Sequence, residues 1–166
     1  MAVSAYEVIS TQTLGTAAAT VTFSSIPQTY TDLVLVLLVG ASTGGNAMKL
    51  ELNGDTASNY STTYLAGNGT SAISSRTTTN TTMRLFHETS SATTIVNMAI
   101  VNFLNYANTT TYKTMLSRSN STGGTEVEVN LWRSTAAITT FNCYWGSSYT
   151  FSVGSTFTLY GVKAAA

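Results

Sequence analysis

Charge is what this sequence has least of. Only 8% of its 166 residues are Asp, Glu, Lys or Arg, against about 25% in an average soluble protein. Seven basic and seven acidic side chains cancel to zero net charge. Nucleic acid is not an expected partner, because its binding needs clustered Lys and Arg and no basic patch is present. A chain so weakly charged is also poorly protected against association, so much of its surface is expected to be covered by another protein. Histidine, cysteine and proline each occur once. With one His and one Cys, a zinc site built from nitrogen and sulfur ligands cannot be filled. Cys143 alone allows no disulfide framework and reads as a small buried hydrophobe in a strand. No apolar run approaches the roughly 20 residues of a membrane span. The opening Met1-Ala-Val-Ser-Ala-Tyr-Glu has no positive stretch followed by an apolar one, so no signal peptide is expected and synthesis is expected in a reducing cytosol.

The same scarcity thins out chemistry. His87 is the sole candidate base, and no G-x-S-x-G elbow surrounds a serine; a structural histidine near a strand end is the better account. The carboxylates are Glu7, Asp32, Glu51, Asp55, Glu88, Glu126 and Glu128. Glycoside hydrolysis needs two of them facing each other across a cleft. Glu126 and Glu128 share a strand face, but alternation with Val127, Val129 and Leu131 predicts that face to be the wet one. Asn53-Gly54-Asp55 with Asn59 offers oxygens to calcium without the spacing of a calcium loop. No catalytic residue, metal or cofactor is expected.

What is present is strand. Residues 33–39 (LVLVLLV) form a branched aliphatic run between a Pro27-containing turn and Gly40, predicting a strand covered on both faces. Further strands are predicted at 6–13, 20–24, 48–52, 60–65, 83–87, 94–103, 112–119, 126–132, 138–145 and 156–162, separated by turn-forming residues such as Asn53-Gly54-Asp55. Residues 48–52 alternate with Met48, Leu50 and Leu52 inward. In 94–103 both faces carry apolar residues. Residues 66–82, rich in Gly, Asn, Ser and Thr, read as a long loop of functional character. No segment carries a 3.6-residue period and no repeat of fixed length is visible. The expected fold is all-β: a jelly-roll-like antiparallel sandwich of about ten short strands. It comprises an N-terminal arm (1–5), one domain (6–163) and a short tail (164–166).

Aromatics at strand ends are candidates for contact. Trp145 and Tyr149 sit at a strand-to-loop junction and Trp132 ends another strand. Such rings serve either as core residues with a polar tip or as interface anchors. Met1, Ala2 and Val3 of the arm, with Trp145 and Tyr149, are taken as partner-contact residues.

Four segments together, Ser25-Ile-Pro-Gln-Thr-Tyr-Thr-Asp-Leu-Val-Leu35, Leu52-Asn-Gly-Asp-Thr-Ala-Ser-Asn-Tyr-Ser61, Trp132-Arg-Ser-Thr-Ala-Ala-Ile-Thr139 and Gly154-Ser-Thr-Phe-Thr-Leu-Tyr-Gly-Val-Lys163, resemble small structural modules of tailed bacteriophages. The resemblance spans about residues 6–163. It implies a β-sandwich virion component without catalytic residues: a head decoration (cement) protein on the outer capsid surface, commonly a jelly-roll homotrimer bound to the major capsid protein. The alternative it leaves is a carbohydrate- or receptor-binding module of a tail or baseplate, using Trp145 and Tyr149. With no stalk on either side of the predicted domain, the decoration role is the expectation. No membrane or nucleic-acid partner is implied.

Overall fold

The computed structural model describes residues 5–42, 47–86, 93–146 and 149–163. Short runs of Thr, Val and Ser, cut by Gly and Asn, give a chain that is all strand and turn among these residues. The strands are β1 (Tyr6–Thr13), β2 (Thr20–Phe23), β3 (Asp32–Val39), β4 (Met48–Leu52), β5 (Tyr60–Gly67) and β6 (Ala72–Asn80). They continue with β7 (Met83–Leu85), β8 (Asn97–Leu104), β9 (Lys113–Ser121), β10 (Gly124–Trp132), β11 (Phe141–Trp145) and β12 (Thr156–Val162).

They form two antiparallel sheets. The large sheet runs β1-β12-β3-β8-β9-β10-β5-β6 and the small one β2-β11-β4-β7. The chain crosses from sheet to sheet at nearly every step. The exceptions are β5–β6 and the run β8–β9–β10, which remain in the large sheet. They join each other through β10 and β5, Trp132 opposite Tyr60 at one end and Thr125 opposite Gly67 at the other.

The core lies between the sheets. Leu33, Leu35, Leu37 and Val39 of β3 face Met48, Leu50 and Leu52 of β4 and Phe141, Cys143 and Trp145 of β11, all fully or almost fully buried. Burial pushes the Cys143 thiol pKa far up, which keeps it an inert hydrophobe, as its place in a strand predicted. The Asn53-Gly54 turn forms where expected. Asn53 adopts φ 51° and Gly54 φ 70°, and the Asn53 side chain is bonded to Ala137 O at 2.7 Å and to Thr139 N at 3.0 Å.

Three expectations are corrected. Residues 66–82 are not a loop: they contain the end of β5 and all of β6, paired from Tyr60 opposite Asn80 to Gly67 opposite Ala72. Thr-rich sequence suits an exposed edge strand as readily as a loop. The faces of β10 are reversed as well. Glu126, Glu128 and Asn130 point inward and are buried, while Val127 and Val129 are 45% and 44% exposed. Alternation reveals two faces but not which one is wet; here the inward row is bonded to inward hydroxyls, Ser117 Oγ to Glu128 at 3.0 Å and Ser119 Oγ to Glu126 at 3.2 Å. Asn130 accepts from Thr62 Oγ1 and from the Arg84 backbone N–H, which ties β10 to β7 of the other sheet. Finally, β3 is covered throughout only on its inner side: on the outer side Val34 is buried, but Leu38 is 42% exposed.

Candidate functional site

The reversal of β10 has a counterpart on the outside of the large sheet. Residues directly opposite on neighbouring strands share a face, so the pairing gives continuous outer rows. One row runs Val36, Ile100, Arg118, Val127, Leu65 across β3, β8, β9, β10 and β5. The row on one side runs Asn102, Leu116, Val129, Thr63. Leu65 is the most exposed of these, at 62%. Between Met98, Ile100, Val127 and Leu65 the sheet encloses a shallow concavity of about 430 Å³ with Arg118 on its wall.

The other large side chains there are apolar apart from Glu126, which is buried and bonded to Ser119 at the floor, and the remaining polar positions are neutral Asn and Thr. Over β8, β9, β10 and β5, Arg118 is the only charge on the outer face; Glu126 and Glu128 of the same strands point inward. The Arg118 side chain makes no hydrogen bond or ion pair among the described residues. An ion pair lies elsewhere, between Lys163 and Glu7. Chemically, the surface can hold an apolar body and bind one carboxylate.

The concavity is closed at one end by two turns packed backbone to backbone. Gly124, at φ 148°, has no room for a side chain: a Cβ would lie 2.3 Å from the Gly67 carbonyl oxygen. Bringing these turns together is what aligns β9–β10 with β5–β6.

The residues singled out from sequence are placed differently. Trp145 is 1% exposed and packs on Phe86 and Phe151 at ring distances of 5.8 and 5.6 Å, so it cannot offer its ring to a partner. A bulky ring in a strand that pairs on both sides is more stable inside the sandwich than at its rim. Tyr149 is half-buried and packs against the core. Met1, Ala2 and Val3 lie outside the described residues, as do His87 and Glu88.

Asp55, weighed above as a calcium ligand, is engaged internally. It accepts from Trp132 Nε1 at 2.6 Å, Asn59 Nδ2 at 2.9 Å and the Ala57 N–H at 2.9 Å. Burial opposes its ionisation, but these three donors outweigh burial and hold its pKa below the usual carboxylate range. Among the described residues, no group of three His, Cys, Asp or Glu could hold a metal ion, and no helix is long and apolar enough to cross a membrane.

Sequence reasoning missed Arg118 and its aliphatic surround. The available signal was apolar residues on both parities of 33–39 and 94–103, which meant that both sheet faces carry hydrophobic surface. Comparison with protein-family models, curated proteins and solved structures returns no match.

Proposed function

We propose that the chain is a non-enzymatic structural protein of a tailed-phage virion, binding and stabilising the assembled capsid as a decoration protein, as a homotrimer on the outer surface. The observation that carries the reading is the uncovered aliphatic face of the large sheet. Eight strands at ~4.8 Å spacing and ~26 Å length give a face of roughly 1,000 Å², above the about 800 Å² per partner of a standard interface. Part of that face is aliphatic and exposed, at Leu38, Met98, Leu116, Val127, Val129 and Leu65, and contiguous exposed apolar surface marks a face made to be covered. Eight of the strands also follow the order β1-β12-β3-β8 against β2-β11-β4-β7, the double-sheet order of a jelly roll, an architecture used by viral capsid domains. That support is by analogy of fold.

The mechanism is mass action: a protein that binds only the assembled shell shifts the shell away from subunit loss, and contacts repeated over a lattice add by multivalency. The carbohydrate-binding alternative rested on Trp145 and Tyr149, and burial of Trp145 removes its main anchor. The test is copy number in purified virions relative to the major capsid protein. A ratio near one, or one trimer per few capsid subunits, supports a lattice-wide role. A few copies per hundred moves the chain to the tail, and complete absence refutes the reading.

A further inference from the structure

We infer that the concavity over β8, β9, β10 and β5 is the docking surface for a different protein, whose matching surface sets one carboxylate among aliphatic side chains and pairs it with Arg118. The inference deepens the assembly reading above and rests on it for the existence of a protein partner.

Charge complementarity identifies the occupant. Arg118 is held between Ile100 of β8 and Val127 of β10, its direct neighbours across the sheet. Leu65 lies one strand further on, and Leu116 lies two residues along β9. A partner covering those aliphatic groups also covers the guanidinium and strips its water. A desolvated cation needs an anion, and the outer face of these four strands holds none. The fork of the guanidinium matches a carboxylate with two parallel hydrogen bonds. The next cation on this face, Arg76 of β6, lies opposite Thr63 and adds positive charge at the rim, so the partner is acidic overall where it meets this half of the sheet.

A second copy of the chain does not fit by a twofold contact. Such a contact centred on the concavity would bring Arg118 against its twin, with no exposed carboxylate on either face to separate them, and like charges brought together disfavour association.

The test uses phage particles prepared without the chain, to which purified protein is added back and bound protein is quantified. The variants are Arg118→Glu, Arg118→Lys and Val127→Asp, with Thr110→Glu in a distant exposed turn as control. All three sites are exposed, and circular dichroism confirms folding. Wild type and Thr110→Glu are expected to bind alike. Arg118→Glu and Val127→Asp are expected to bind at least about tenfold more weakly, with Arg118→Lys in between. Binding of wild type with undiminished binding of Arg118→Glu overturns the inference and leaves the assembly reading standing. Failure of wild type to bind defeats the assembly reading, and the inference falls with it. Sedimentation of the protein alone is the second measurement: a self-associated species that Val127→Asp dissociates would overturn the choice of partner.

Discussion

Two buried tryptophans make a controlled comparison, because the same substitution is expected to have very different effects at the two sites. Trp132 and Trp145 are 2% and 1% exposed, and both pack on aromatic rings. They differ at one atom. Trp132 Nε1 donates to Asp55 at 2.6 Å, whereas Trp145 Nε1 is buried with no hydrogen-bond partner among the described residues. Replacing either by Phe leaves a void and removes apolar contact, costing roughly 1–2 kcal/mol. At Trp132 the change also removes a hydrogen bond to a carboxylate, about 1–2 kcal/mol once hydration of the half-exposed Asp55 is allowed for. At Trp145 it removes a buried donor with no acceptor and returns about 1–2 kcal/mol. Trp132→Phe is therefore expected to destabilise by about 2–4 kcal/mol and Trp145→Phe to change stability by between about −1 and +1 kcal/mol. Urea unfolding followed by far-UV circular dichroism measures both on one scale, and an unchanged m-value guards against altered unfolded states. Equal losses, or a greater loss for Trp145→Phe, would refute the reasoning.

The same hydrogen bond has a pH signature. Because the folded-state pKa of Asp55 is depressed, its ionised form adds stability above the unfolded pKa and that contribution is lost as pH falls through the folded one, below about pH 4. The stability gap between wild type and Trp132→Phe is thus expected to narrow in acid; a gap constant from pH 7 to pH 3 would contradict it. Asn53→Ala removes bonds to Ala137 and Thr139 and places Ala at positive φ, an expected loss of about 2–4 kcal/mol. Asn53→Gly should recover about 1 kcal/mol of it, measured as the shift in urea midpoint. Gly124→Ala adds strain at φ 148° and a clash with the Gly67 carbonyl, costing about 1–3 kcal/mol. Hydrogen exchange should show the Thr125 end of the β10–β5 ladder losing protection before the core strands do.

Much of the sandwich was legible because its signals are local. β12 has the predicted bounds, Thr156–Val162, and Met48, Leu50 and Leu52 face inward as their spacing required. The errors came where a decision depended on distant chain. Whether Val127 or Glu128 faces inward is settled by Ser117, Ser119 and Tyr64 on adjacent strands, partners that a strand read alone does not show. β6 contains few large apolar residues, and it is a strand because β5 lends it a ladder. The site was illegible for the same reason. Arg118 is an ordinary surface arginine until β8 and β10 set Ile100 and Val127 at its sides.

The strand order also carries a hierarchy of dependence. Within the ladders, β5 and β6 reach the rest of the large sheet only through β10, and β10 reaches it only through β9. Excising the outer hairpin leaves every other ladder intact, whereas excising β9–β10 strands the outer one. The concavity needs both, since its walls come from β8 and from each hairpin. The proposed docking surface thus sits on an appendage, and the sandwich beneath could keep its shape while the appendage was exchanged for another.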